Sequence, residues 1–144
     1  AVAPEEDSKR PLSDTGIRDV ENIADYLARS GVTPSAIWHS GKMRAVQTAE
    51  ILHRRMNSVE PKLHPELQPN GSLEVWLEYL EGYEKEVFLV GHLSHLERLA
   101  SLLVAGRADA GAVAFQPGAV ACLDKWENDA WTVSWVMYPG MISQ

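Results

Sequence analysis

Two short segments of the sequence place basic or titratable side chains directly after an apolar run. The first, 40–48 (SGKMRAVQT), carries Lys42 and Arg44, and the planar guanidinium of an arginine can donate paired hydrogen bonds to a tetrahedral oxyanion. The second, 90–94 (VGHLS), carries His92, whose imidazole can hydrogen-bond an oxyanion or exchange a proton near neutral pH. These residue types together predict a site that binds an anion and supports proton transfer.

Each of these residues also has a purely structural interpretation. An arginine in the first turn of a helix is most often a solvated surface residue, and a histidine after a strand most often makes a structural hydrogen bond. Arg44 and His92 both fall where a strand is predicted to pass into a helix, within one small domain. Their shared position favours a common site over two unrelated residues.

Three better-known motifs do not match these segments. The sequence around Gly41 lacks the upstream glycine of a nucleotide-binding Walker loop. The run 91–95 (GHLSH) differs from the Gly-x-Ser-x-Gly turn of serine hydrolases. His92 and His95 could share a metal ion on one helix, but no third ligand has a suitable spacing. We therefore expect His95 to face solvent or the mouth of a ligand site.

The elements that must position these residues are predicted from apolar periodicity and from turn residues. Apolar side chains three and four apart predict four helices, with Gly31 and Gly82 ending the first and the third. The run 87–90 (VFLV) is apolar throughout, which is typical of a parallel strand covered on both faces, and we expect it at the centre of the sheet. The helices carry the apolar residues of 17–27, 46–56, 73–80 and 96–104, and the strands are predicted at 36–40, 61–64, 87–90, 118–125 and 131–137.

Helices that alternate with strands, followed by a C-terminal hairpin, indicate a three-layer α/β/α fold with a mostly parallel central sheet. In open sheets of this kind, ligands bind beyond the carboxyl ends of the strands, where the next helix presents its N-terminal N–H groups. Arg44 and His92 both lie at that position, so we expect them to face one crevice. No repeat or linker divides the chain, and residues 1–144 are expected to form one domain.

Composition and charge exclude some classes of binding partner. The 144 residues include 13 Lys and Arg against 20 Asp and Glu, a net charge of −7 at pH 7, and a field of this sign repels nucleic acid and anionic lipid. No apolar run approaches the roughly 20 residues that span a bilayer. Cys122 is the only cysteine, which excludes an intrachain disulfide and predicts a cytoplasmic protein. We expect no nucleic-acid or membrane partner, and anion binding must rest on a local basic cluster.

Four segments together resemble one family. Residues 9–16 (KRPLSDTG), 40–52 (SGKMRAVQTAEIL), 66–69 (ELQP) and 89–93 (LVGHL) follow the order and spacing of the histidine phosphatase superfamily, in particular of its small SixA-type phosphohistidine phosphatases. In that family a phosphoryl group passes from the substrate to a histidine and then to water, without a metal or another cofactor. The resemblance implies that Arg44 holds the phosphoryl oxygens, that His92 is the second active-site histidine, and that Arg10 adds a third positive contact.

One motif of the family has no counterpart in this sequence. The family begins with a strand that ends in Arg-His-Gly, and the histidine of that motif is the nucleophile. None of the five histidines occupies that place, and His39, the nearest to the crevice, belongs to the strand that leads to Arg44. We expect the strand to be missing from this sequence or truncated, rather than absent from a catalytically inactive relative, because its loss would leave the strand 87–90 without a neighbour.

The resemblance predicts a phosphatase that removes phosphate from the histidine of signalling proteins through a phosphohistidine enzyme intermediate. A small-molecule phosphomonoesterase of the same superfamily and a non-catalytic module that binds phosphate are the alternatives. The expected partner is accordingly a histidine-phosphorylated protein or a small phosphorylated metabolite. No carboxylic acid stands out as a proton donor for the leaving group, which favours a labile phosphoramidate over an alkyl phosphate.

Overall fold

The computed structural model describes residues 9–82, 85–115 and 119–137. The predicted helices and strands are all present, although the strand predicted at 61–64 is shorter and residue 118 lies outside the described residues. In chain order the elements are α1 (Asp14–Arg29), β1 (Ala36–His39), α2 (Met43–Met56), β2 (Lys62–Leu63), a 3-10 turn (Pro65–Leu67), α3 (Leu73–Glu81), β3 (Val87–Val90), α4 (Leu93–Ala105), β4 (Val120–Lys125) and β5 (Trp131–Met137).

Local sequence signals set the ends of α1. The hydroxyl of Ser13 accepts a hydrogen bond from the N–H of Gly16 and so caps the first turn. Asp14 adds a negative charge where the helix dipole is positive. The helix stops before Gly31, whose φ of +82° is left-handed and costs a glycine little. The residues that α1 buries recur at helical spacing: Val20, Ile23, Ala24 and Leu27.

The three strands β1, β2 and β3 form one parallel sheet in the order β2-β1-β3. The last residue of β1, His39, is in register with Leu63 of β2 on one side and with Val90 of β3 on the other. All three strands therefore end at the same edge of the sheet. The chain segments that follow β1 and β3 lead into α2 and α4 at this edge.

Helices cover both faces of the sheet, which confirms the predicted three-layer α/β/α fold. On one face Ile37 is buried with residues of α1 and α2, and Phe88 and Val90 pack against the same cluster. On the other face Trp38 and Leu89 pack against a cluster built from α3, α4 and the 3-10 turn. Alternate residues of β1 and β3 thus belong to opposite cores, as the pleat of a strand requires.

The position predicted for β3 differs from the one observed. Within the described residues β3 pairs with β1 alone and is the edge strand of the sheet, and each of its four residues is only half-buried. The apolar run 87–90 correctly predicts that helices cover both faces of the strand. It carries no information on how many strands lie beside it, because strand neighbours bond to the backbone and not to the side chains.

The C-terminal part forms the predicted hairpin. Strands β4 and β5 are antiparallel and make a separate two-stranded sheet with an irregularity between Cys122 and Leu123. Asp129 has a φ of +65° in the connecting turn, a conformation that asparagine and aspartate tolerate better than most residues. No helix of the described chain is both long enough and apolar enough to cross a membrane.

Candidate active site

The turn between β1 and α2 is fixed to the neighbouring strand by backbone hydrogen bonds. The N–H of Ser40, a residue that is buried, donates to the carbonyl of Val90 at the end of β3 (3.1 Å). Gly41 follows with a φ of +89°, a conformation available to glycine at low cost. Its N–H donates to Nδ1 of His39 (3.1 Å). The loop that leads to Arg44 therefore has a defined geometry relative to β3.

Arg44 is the second residue of α2 and is half-buried. Its carbonyl accepts a hydrogen bond from the hydroxyl of Thr48 (2.8 Å). One turn along the helix, the side-chain oxygen of Gln47 accepts from the N–H of Leu12 (2.7 Å). This bond ties the segment of Arg10, whose side chain is exposed, to the N-terminal half of α2.

His92 lies at the corresponding turn between β3 and α4. It is the N-cap residue of α4 and is exposed, and its Nδ1 lies 2.8 Å from the hydroxyl of Ser94. When the Ser94 hydroxyl donates to Nδ1, the proton of the neutral ring is on Nε2, which can then donate to an anion. A side chain on Gly91 would approach the carbonyl of Leu67 at 3.0 Å, so this turn packs closely against the 3-10 turn.

Pairing of β1 with β3 brings the predicted residues of these two turns together at one edge of the sheet. There Arg44 and His92 lie at the N-terminal ends of the helices that follow β1 and β3, one helix on each face of the sheet, and the positive ends of the two helix dipoles add to the charge of Arg44. The N-cap side chains of α2 and α4 make no capping hydrogen bond, in contrast to Ser13 of α1 and Ser72 of α3. A sheet edge with this positive charge can bind an oxyanion. The role of Arg10, Arg44 and His92 as its ligands stays a prediction.

His39 is a positioning residue that sequence reasoning did not identify. Burial lowers the pKa of His39, and the nearby carboxylate of Glu50 opposes this effect in part. The neutral ring can accept the N–H of Gly41 through Nδ1, whereas the protonated ring cannot. A strand-end histidine two residues before a glycine is the only signal in the sequence for this contact.

The prediction that His95 faces solvent or a ligand mouth is wrong. Its side chain is buried, with 2% of the residue exposed, and Nε2 lies 3.3 Å from the carbonyl oxygen of Gly71. Nδ1 is buried with no hydrogen-bond partner in the part of the chain that the structure describes. Burial lowers the pKa of His95, opposed by the bond to Gly71, so the ring is neutral at pH 7. His95 connects α4 to the loop before α3 because that face of α4 is turned toward the core.

That loop has an internal hydrogen-bond network centred on Glu66. Its carboxylate accepts the N–H of Ser72, and its carbonyl accepts the indole N–H of Trp76 (3.1 Å), a residue that is fully buried. His64 caps the 3-10 turn by accepting the N–H of Glu66 (3.1 Å). The network explains why a segment without apolar periodicity is ordered behind the turn of His92. Within the described residues no group of three or more His, Cys, Asp or Glu side chains is placed to hold a metal ion.

The fold and the two turns define a class of protein: a three-layer, parallel α/β domain with an arginine and a histidine at adjacent strand ends. A model of the histidine phosphatase superfamily (branch 1) matches residues 5–74. A protein of Picosynechococcus sp. is 30% identical over 135 residues, which cover 86% of this chain and 82% of that protein. The chain belongs to the histidine phosphatase superfamily.

Solved structures show the same relationship. The protein histidine phosphatase SixA complexed with tungstate matches with a TM-score of 0.83 and 26% identity, over 99% of this chain and 93% of that one. The putative phosphohistidine phosphatase SixA from Agrobacterium tumefaciens matches with a TM-score of 0.77 and 26% identity, over 96% of this chain and 90% of that one. The fold of this chain is therefore similar to that of SixA phosphatases over nearly its full length.

Proposed function

We propose that the protein is a phosphatase that removes the phosphoryl group from phosphohistidine in signalling proteins. The observation that carries this proposal is the in-register pairing of β1 with β3, which starts the helices of Arg44 and His92 at one sheet edge. Membership of the histidine phosphatase superfamily and likeness to SixA structures support it. We further propose that the protein works in the reducing cytoplasm, in keeping with its single cysteine.

In this proposal the chain supplies electrostatic stabilisation and positioning. The guanidinium of Arg44 donates to two phosphoryl oxygens, Nε2–H of His92 donates to another, and Arg10 adds positive charge. These donors stabilise the negative charge that spreads over the equatorial oxygens during transfer of the phosphoryl group. Removal of one charge-assisted donor of this kind reduces catalysis by about 10²–10³-fold in enzymes with comparable sites.

The reaction then proceeds in two displacements. A histidine nitrogen of the enzyme attacks phosphorus, the P–N bond to the substrate breaks, and the departing imidazole takes a proton. Water next attacks the phosphoenzyme, the new P–N bond breaks, and inorganic phosphate leaves while the enzyme histidine regains its original state. No step requires an oxidant, a reductant or a metal-bound nucleophile.

We place the attacking histidine on a further strand that pairs with the edge of β3 opposite β1. Two observations support this placement. Within the described residues β3 bonds to β1 alone, and a strand beside it would end at the same edge as His92. Nδ1 of His39, by contrast, accepts the N–H of Gly41, so this atom is already engaged in holding the turn.

The test is phosphate release by the full-length natural protein from a histidine-phosphorylated protein and from an aryl phosphate. Arg44→Ala is the site variant and Arg55→Ala is the control, because Arg55 lies at the other end of α2 in ion pairs with Glu21 and Asp25 (2.7 and 3.2 Å). We expect hydrolysis of phosphohistidine that Arg44→Ala reduces by about 10²–10³-fold and that Arg55→Ala leaves unchanged. Release from aryl phosphate only would indicate a small-molecule phosphomonoesterase. Hydrolysis of neither substrate, with retained phosphopeptide binding, would indicate a non-catalytic module.

A further inference from the structure

Two large apolar side chains are exposed beside the turn that leads to Arg44. Leu63 has 54% of its surface exposed and Met43 has 41%. Leu63 ends β2, in register with His39, and Met43 is the first residue of α2. A Cβ atom on Gly41 would lie 2.3 Å from Cδ1 of Leu63, so this side chain extends over the turn itself. Leu63 and Met43 are called the apolar rim below.

The rim is unlike the scattered apolar residues that every protein surface carries. Neither Leu63 nor Met43 belongs to the two core clusters of the described residues. They come from different elements, β2 and α2, and Leu63 lies against Gly41 of the turn that precedes Met43. The other exposed large hydrophobic residues of the described chain are Tyr26 on α1, Val59 before β2, Val75 on α3, and Trp126 and Val133 in the hairpin region.

Basic residues adjoin the rim residues in the sequence although the chain as a whole is acidic. A lysine precedes each apolar residue, Lys62 before Leu63 and Lys42 before Met43, and Arg44 follows Met43. These three basic residues are local features of a chain whose net charge is −7. Such a surface is complementary to a protein that carries apolar and acidic side chains around a phosphorylated residue. The phosphate of a small metabolite would need the basic groups but would leave the rim in water.

Two cavities of the described residues lie away from the rim. One of about 280 Å³ lies along α1, next to Asp14, and one of about 270 Å³ lies between α1 and α2, next to Arg54. Neither is lined by Leu63, Met43 or Arg44. Leu63 and Met43 are both exposed, so another protein can contact them.

We propose that Leu63 and Met43 form a docking surface for the phosphorylated partner protein and contact apolar side chains beside its phosphorylated residue. This inference rests on the proposed function, because it assigns the partner to the same site. The surface around the phosphate, and not the phosphate itself, then distinguishes a protein substrate from a small metabolite. Loss of the rim should weaken capture of a protein substrate much more than turnover of a small phosphoramidate.

The experiment compares kcat/KM for a histidine-phosphorylated protein with kcat/KM for free phosphohistidine, using the full-length protein. The variants are Leu63→Ser and Met43→Ser, and Val75→Ser is the control, because Val75 is similarly exposed at 39% but lies on α3. We expect each rim variant to lose about fivefold to tenfold more activity on the protein than on free phosphohistidine, as truncation of an interface residue does. The loss should appear as a higher KM.

The outcomes separate the inference from the proposed function. Equal losses on both substrates, or no loss, would overturn the docking surface while the phosphatase activity stands. A comparable selective loss in Val75→Ser would also overturn it, because the effect would then not belong to the rim. If the wild-type protein neither hydrolyses nor binds either substrate, the proposed function fails and the docking surface fails with it. Thermal unfolding of each variant checks that the exposed substitutions leave the fold intact.

Discussion

Substitution of Gly41 by alanine tests whether the β1–α2 turn needs the left-handed backbone conformation of this glycine to position Arg44. Gly41 has a φ of +89°, and a Cβ atom there would lie 2.3 Å from Cδ1 of Leu63. Gly31 provides a matched control, because its φ is +82° but a Cβ atom would meet nothing within 4 Å. The two substitutions share the backbone strain and differ in the steric contact.

The difference between the two variants can be estimated. An alanine in the left-handed region costs about 1–2 kcal/mol, and this cost applies equally to Gly31→Ala and Gly41→Ala. The new Cβ must also displace the side chain of Leu63, which is exposed and flexible, so an off-rotamer cost of about 0.5–1.5 kcal/mol is added. We expect Gly41→Ala to be less stable than Gly31→Ala by about 1 kcal/mol.

Urea unfolding measures this difference, and the double variant Gly41→Ala/Leu63→Ala isolates its cause. Compared with Leu63→Ala alone, the double variant should show only the backbone cost seen in Gly31→Ala. Titration with tungstate should show weaker binding in Gly41→Ala and unchanged binding in Gly31→Ala, because only the former shifts the turn before Arg44. Equal stability of Gly31→Ala and Gly41→Ala, together with equal affinity for tungstate, would refute the reasoning.

Three further predictions concern anion binding, the loop network and pH. Arg44→Ala should weaken vanadate binding by about 10–100-fold, because a charge-assisted hydrogen-bond donor is lost. Arg55→Ala should bind vanadate as the wild-type protein does, and equal affinities of the two variants in a titration would contradict the prediction. Trp76→Phe removes the indole donor to Glu66 and leaves a cavity at a fully buried position, so it should lower the free energy of unfolding by about 1–3 kcal/mol. An unchanged urea midpoint would count against the network. Burial lowers the pKa of His95 below 6.5, so below that pH the unfolded chain binds more protons than the native protein, and the free energy of unfolding should fall as the pH decreases. The slope should be smaller in His95→Gln, and identical slopes would show that His95 is not responsible.

Several parts of the fold could be predicted from the sequence because local physics determines them. The end of α1 follows from Gly31, which adopts a left-handed φ, and the hairpin follows from turn residues between two strands. The two strand ends at 40–48 and 90–94 were predicted to meet, and the register between β1 and β3 confirms that they are adjacent. A short stretch of sequence contains the cause of the first two features, whereas the third follows from the way parallel strands end at one edge of a sheet.

Other features depend on contacts between distant residues and could not be predicted. His95 is buried because its ring reaches the carbonyl of Gly71, 24 residues earlier. The same spacing from His92 fits an exposed helix face equally well, so periodicity alone could not decide. The pairing of β3 with β1 alone among the described residues depends on contacts of its backbone, which its apolar side chains do not encode.

A crystal structure of the full-length protein with bound tungstate tests the central claim most directly, since it locates the anion. We predict density for the anion between the β1–α2 and β3–α4 turns, with its oxygens about 2.7–3.2 Å from the guanidinium of Arg44 and from Nε2 of His92. Density only at other basic groups, such as Arg54, or a saturated crystal with no anion at this sheet edge would contradict the assignment of the site.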